Sequence, residues 1–139
     1  MITGTDTPSK PLTVVGETSY FDLDEAPPSR TLPTVLIAMA DVGVRVLSAC
    51  PHMGGFRLWV DHGDVDCARD ALTEVKATYH VRPALLVETV DQPDSLVEML
   101  DLLDRARLAL IELQRFESDT PALWGLVTSD LPATRAALG

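Results

Sequence analysis

The chain has 139 residues, 46% of them hydrophobic and 23% charged, the balance of a folded globular domain and not of a disordered one. Its net charge is −10, with nine Arg and two Lys and no basic run, which argues against nucleic acid or an anionic membrane surface as a partner. No apolar stretch is long enough for a membrane span, and the first residues lack the basic and apolar parts of an export signal, so a cytoplasmic protein with two free thiols, Cys50 and Cys67, is expected.

Residues 1–11, with Pro8 and Pro11, read as a flexible tail. The β-branched and aromatic run "LTVVGETSYFDLDE" (12–25) predicts one bent strand or two short ones, broken at Gly16. "APPSR" predicts a turn. From Leu32 the apolar residues Leu32, Val35, Leu36 and Met39 follow the spacing of one helical face, and Gly43 is a stop signal. Strands are expected at 44–50 and 55–61 around the turn "PHMGG". A helix is expected from Asp64 to about Ala77, then an extended run at 79–90 interrupted by Pro83.

The order then repeats. Leu96, Met99, Leu100 and Leu103 reproduce the first helical template 64 residues on from Leu32. The following apolar strand starts twelve residues later in both places, at Val44 and at Leu108. "DLPATRAAL" (130–138) matches "DVDCARDAL" (64–72) at Asp, Arg, Ala and Leu. These observations predict an α+β chain in which a ferredoxin-like βαββαβ unit occurs twice, each with an antiparallel sheet and its helices on one face. The expected division is 12–83 for the first repeat and 84–139 for the second. The second repeat ends at its last helix and so lacks its own final strand. Residues 12–15 are expected to supply an extra strand, to that repeat or to another subunit.

The stretch "VDQPDSLVEMLDLLDRARLAL" resembles the strand–D-x-P-G-x-L–helix opening of the ACT domain family. "EAPPSRTLPTVLIAMADVGVRV" is similar to the same opening with one residue inserted. The likeness, covering about residues 17–138, is to small bacterial proteins made of two ACT domains. It implies a regulatory module that binds a small effector, usually an amino acid, at the strand-to-helix turn, often across a homodimer interface. On this likeness the ligand-binding candidates are Pro28, Ser29, Arg30 and Leu32 in the first repeat and Asp91, Gln92, Asp94 and Ser95 in the second. The family glycine is replaced by Ser29 and Asp94, and Arg107 stands where a glycine should follow the third helix.

Physically, a helix start exposes backbone N–H groups that suit a carboxylate. Asp94 supplies its own carboxylate and would repel a ligand's by about 1 kcal/mol at close range in water. Ser29 is neutral and Arg30 offers a fork, so the first mouth is the better candidate. No cofactor and no metal site is expected. The competing reading is an ACT-like scaffold recruited as a small enzyme in a bacterial biosynthetic pathway, with Cys50 as nucleophile and His52 as base. Low Lys with abundant Ala, Arg, Asp and Leu fits a GC-rich bacterial genome under either reading.

Overall fold

The computed structural model describes residues 12–24, 28–90, 93–117 and 121–139. Ten elements follow in chain order: β1 (Leu12–Leu23), α1 (Pro28–Asp41), β2 (Val46–His52), β3 (Gly55–Val60), α2 (Val65–Glu74), β4 (Tyr79–Thr89), α3 (Pro93–Arg105), β5 (Leu110–Phe116), β6 (Ala122–Thr128) and α4 (Leu131–Leu138). Of the two forms expected for 12–25, the single strand is found, as β1, running through Gly16. Two local expectations are corrected. Pro28, Ser29 and Arg30 are not in a turn but begin α1, since proline at a first helical position gives up an N–H that has no acceptor there. β2 runs on through Pro51 and His52, which leaves Met53 (φ 47°) and Gly54 (φ 84°) as a two-residue hairpin turn, both left-handed as that turn requires.

The chain divides into two compact units. The first is Gly16–Leu86, with strand order β2-β3-β1-β4. β3 pairs antiparallel with both β1 and β2, and Tyr20, Phe21, Asp22 and Leu23 stand opposite Trp59, Leu58, Arg57 and Phe56. Alternation then sorts the faces. Phe21, Leu23, Leu58 and Val60 pack with Val35 and Met39 of α1 and Ala68 and Leu72 of α2 into one buried cluster. Tyr20, Asp22, Arg57 and Trp59 point to the other face. Fully burying one such leucine contributes about 1.5–3 kcal/mol. At the β3 start, Gly55 is required for a different reason: a Cβ there would lie 1.7 Å from the Leu23 carbonyl oxygen.

The second unit comprises Leu12–Val15 of β1 together with Val87–Gly139, with strand order β1-β4-β6-β5. The fourth place in its sheet is thus filled by residues 12–15. Its core includes Leu12, Val87, Met99, Leu103, Leu126 and Leu138. β5 and β6 form an antiparallel hairpin with an irregularity between Leu110 and Glu112. Asp130 caps α4, its carboxylate accepting from the Ala133 N–H at 3.0 Å. Thr134 turns back to the Asp130 carbonyl at 2.7 Å and also meets Thr128.

Three helices end alike. After α1, the N–H of Val44 reaches the Met39 carbonyl and that of Gly43 reaches Ala40. After α2, Ala77 reaches Leu72 and Lys76 reaches Thr73; after α3, Leu108 reaches Leu103 and Arg107 reaches Asp104. The pivot residues Gly43, Lys76 and Arg107 are all left-handed, at φ 78°, 58° and 57°. This paired-bond ending is the Schellman arrangement. Among the described residues no helix is long and apolar enough to cross a membrane.

Candidate functional site

The two helix mouths differ in the residues of their first turns. At α1, Pro28 has no N–H, so the backbone N–H groups of the first turn belong to Ser29, Arg30 and Thr31, and no acidic residue stands there. Pro33 lies inside the same helix. A proline cannot donate to the carbonyl four residues back, so the Ser29 carbonyl loses its helical partner. The N–H groups of the first turn point off the start of α1, whereas the Ser29 carbonyl points the other way along the axis, toward the Pro33 ring. Leu32 is half-buried and packs against the core. Pro33 was visible in the sequence, four residues after Ser29, but the interruption it makes in the hydrogen-bond ladder of α1 was not foreseen.

At α3 the first turn carries Asp94, which is exposed, and no proline interrupts the helix interior. Ser95 is buried, with 2% of its surface exposed. Asp91 and Gln92 lie outside the described residues. Further along, Asp101 and Arg105 form an ion pair at 2.9 Å one turn apart.

Cys50 and His52 sit on β2, opposite Arg57 and Gly55 of β3. The register gathers a polar cluster on the face away from α1 and α2. Arg57, only 10% exposed at its side chain, donates from Nε to Asp22 Oδ1 at 2.7 Å and from Nη2 to Oδ2 at 3.0 Å. Its guanidinium also lies 4.1 Å from the Tyr20 ring centre, and Tyr20 in turn packs against Trp59 at 4.9 Å. The same Nη2 meets His52 Nε2 at 3.0 Å. A guanidinium has no acceptor, so His52 Nε2 accepts and the neutral ring holds its proton on Nδ1. The Cys50 thiol is half-buried and lies 3.9 Å from the Arg57 carbonyl; among the described residues no hydrogen bond joins it to His52. The other histidines each stand beside an aspartate, His62 by Asp61 and His80 by Asp24. Among the described residues no three such side chains gather as metal ligands would.

Arg57, Asp22 and Tyr20 were not singled out from the sequence. The available signal was an arginine in the middle of the apolar strand "GFRLWV", a placement that needs a buried partner.

No family model matches the chain, and no curated protein matches it significantly. Solved structures do. Protein BT0572 from Bacteroides thetaiotaomicron is similar with a TM-score of 0.69 at 16% identity, over 93% of this chain and 89% of that one. The ligand-free regulatory subunit of aspartate kinase from Thermus thermophilus is similar at 0.58 and 13% identity, over 91% of each chain. E. coli aspartokinase III in complex with lysine and aspartate is similar at 0.59 and 14% identity, over 91% of this chain, which spans only 31% of that enzyme. At such identities the likeness is one of fold, and the fold is ACT-like.

Proposed function

We propose that the chain is a non-catalytic regulatory module that binds a free amino acid at the N-terminal turn of α1. The observation that carries this reading is a first helical turn with no acidic residue, so its backbone N–H groups meet no competing carboxylate there. An α-amino acid carries a carboxylate, the group that a helix start suits. Fold likeness to the regulatory subunit of aspartate kinase from Thermus thermophilus, and to about a third of E. coli aspartokinase III, an enzyme solved with lysine and aspartate, supports it. Under this reading the two units are copies of one ancestral βαββα repeat, and the α3 mouth, with Asp94, has lost its ligand. The family likeness extends the reading to a cytoplasmic bacterial homodimer.

The enzymatic alternative built on Cys50 and His52 draws no comparable support, because His52 Nε2 is engaged by Arg57 and, among the described residues, no hydrogen bond joins it to the Cys50 thiol. A thermal-shift screen against the twenty amino acids tests the proposal. A ligand present at 100 times its dissociation constant raises stability by about 2.7 kcal/mol. Calorimetry should then show affinity lost in Arg30→Ala and retained in Asp94→Ala. Binding abolished by Asp94→Ala alone, or no amino acid shifting the melt, would overturn it.

A further inference from the structure

α1 and α2 pack side by side, and along the seam between their outer faces runs an open groove of about 340 Å³. Its floor is apolar: Ile37, Ala38 and Val42 from the α1 side, Ala71 and Val75 from the α2 side. Ile37 is 63% and Val42 51% exposed. Asp41 and Glu74 stand on its two rims. Along α2, exposed Asp66 and Asp70 precede Glu74 at intervals of one turn, so an acidic stripe runs along that helix to the groove's rim. Like charges at that spacing cost a helix a few tenths of a kcal/mol per pair.

We propose that this groove receives a basic amphipathic helix from a partner protein, with its apolar residues on Ile37 and Val42 and its Lys or Arg residues against Asp41, Asp70 and Glu74. The volume falls within the range of formed binding sites and suits a few aliphatic anchors spaced i, i+3, i+4. Charge selects the occupant. A second copy meeting this face would oppose the same carboxylates, in a chain whose net charge is −10, and an anionic lipid surface would be repelled. A cationic helix alone satisfies both the floor and the rims. The site does not depend on the amino-acid ligand, since its residues lie in the later turns of α1 and on α2.

The test uses the full chain and a fluorescein-labelled synthetic helix of about 15 residues, with leucines at i, i+3, i+4 and i+7 and lysines flanking them. Saturable anisotropy is expected, weakened at least about tenfold by Ile37→Glu, a loss of about 1.4 kcal/mol. The double variant Asp41→Asn, Glu74→Gln keeps the floor and should weaken binding while flattening its salt dependence. Circular dichroism confirms that each variant is folded; Ile37 is exposed enough for its change to be tolerated. Three results would overturn the proposal: no saturable binding, equal binding of a glutamate-flanked peptide, or a wild-type sedimentation mass that halves in Ile37→Glu. The last would assign the groove to a second copy of the chain.

Discussion

α1 and α3 hold the same place in the repeated order of elements, yet they are built to opposite ends. α3 begins with an acidic residue, has no internal proline and carries an Asp101–Arg105 ion pair on its surface. α1 has no acid in its first turn, interrupts its own hydrogen-bond ladder at Pro33, and exposes Ile37 where α3 has Asp101, 64 residues on. The difference teaches where to look for binding. Groups that a helix satisfies internally have nothing to offer a partner. The groups α1 leaves open at both its start and its outer face are the ones that a ligand or a protein can meet.

The comparison breaks most sharply by exchanging the prolines. Val97 is the α3 counterpart of Pro33 and is exposed. Val97→Pro should cost about 3 kcal/mol in urea unfolding, whereas Pro33→Ala should raise stability by about 1–3 kcal/mol. The second variant restores a donor to the Ser29 carbonyl on the side of the turn away from the N–H groups, so amino-acid binding should be retained. Affinity lost with stability gained would show that the proline, and not the acid-free start, shapes the mouth.

Next in size is the half-buried ion pair of the first unit. Asp22→Ala removes both hydrogen bonds from the Arg57 guanidinium to this carboxylate and should destabilise by roughly 2–3 kcal/mol, somewhat under the range for fully buried pairs because Asp22 keeps 25% exposure. The second unit shows a looser arrangement, Arg115 at 5.9 Å from the Trp124 ring centre, and Arg115→Ala should cost less than about 1 kcal/mol.

The helix endings sharpen the contrast at a smaller scale. Gly43 adopts its left-handed conformation without steric cost, while Arg107 adopts it against side-chain crowding. Gly43→Ala should cost about 1 kcal/mol and Arg107→Gly should gain a similar amount, read from thermal unfolding. No atoms crowd position 43, so backbone strain alone sets the loss there. Smallest of all, Arg105→Ala should remove no more than about 0.5 kcal/mol, since its pair with Asp101 is on the surface.

Much of this architecture was legible in the residues because it is written locally. The helical spacing of Val35 and Met39 and of Met99 and Leu103, and the stop at Gly43, all depend on neighbours a few positions away. The start of α1 was misjudged because three of the residues at 27–30 favour turns as readily as a helix's first turn. The extension of β2 through Pro51 and His52 was missed because pairing with Phe56 and Gly55, and not propensity, holds that segment extended. The Asp22–Arg57 pair joins residues 35 apart in sequence. Only the register of β1 on β3 makes it, and no periodicity within either strand announces it. Of the site candidates, the α1 mouth was preferred for its charge contrast with Asp94, and Pro33 drew no comment because the apolar spacing of Leu32, Val35, Leu36 and Met39 runs past it.

The placement of the two tryptophans gives the chain an optical readout for each unit. Trp59 belongs to the first unit, is 0% exposed and packs against Tyr20. Trp124 belongs to the second, is partly exposed and donates its indole N–H to Thr89 at 3.0 Å. Emission from the enclosed indole should lie toward the blue and resist acrylamide quenching, while the other is accessible to quencher and emits further to the red. Replacing either one with phenylalanine therefore leaves a single-wavelength reporter of its partner's surroundings. Whether the two signals vanish at the same denaturant concentration or in succession measures how far the chain melts as one cooperative body.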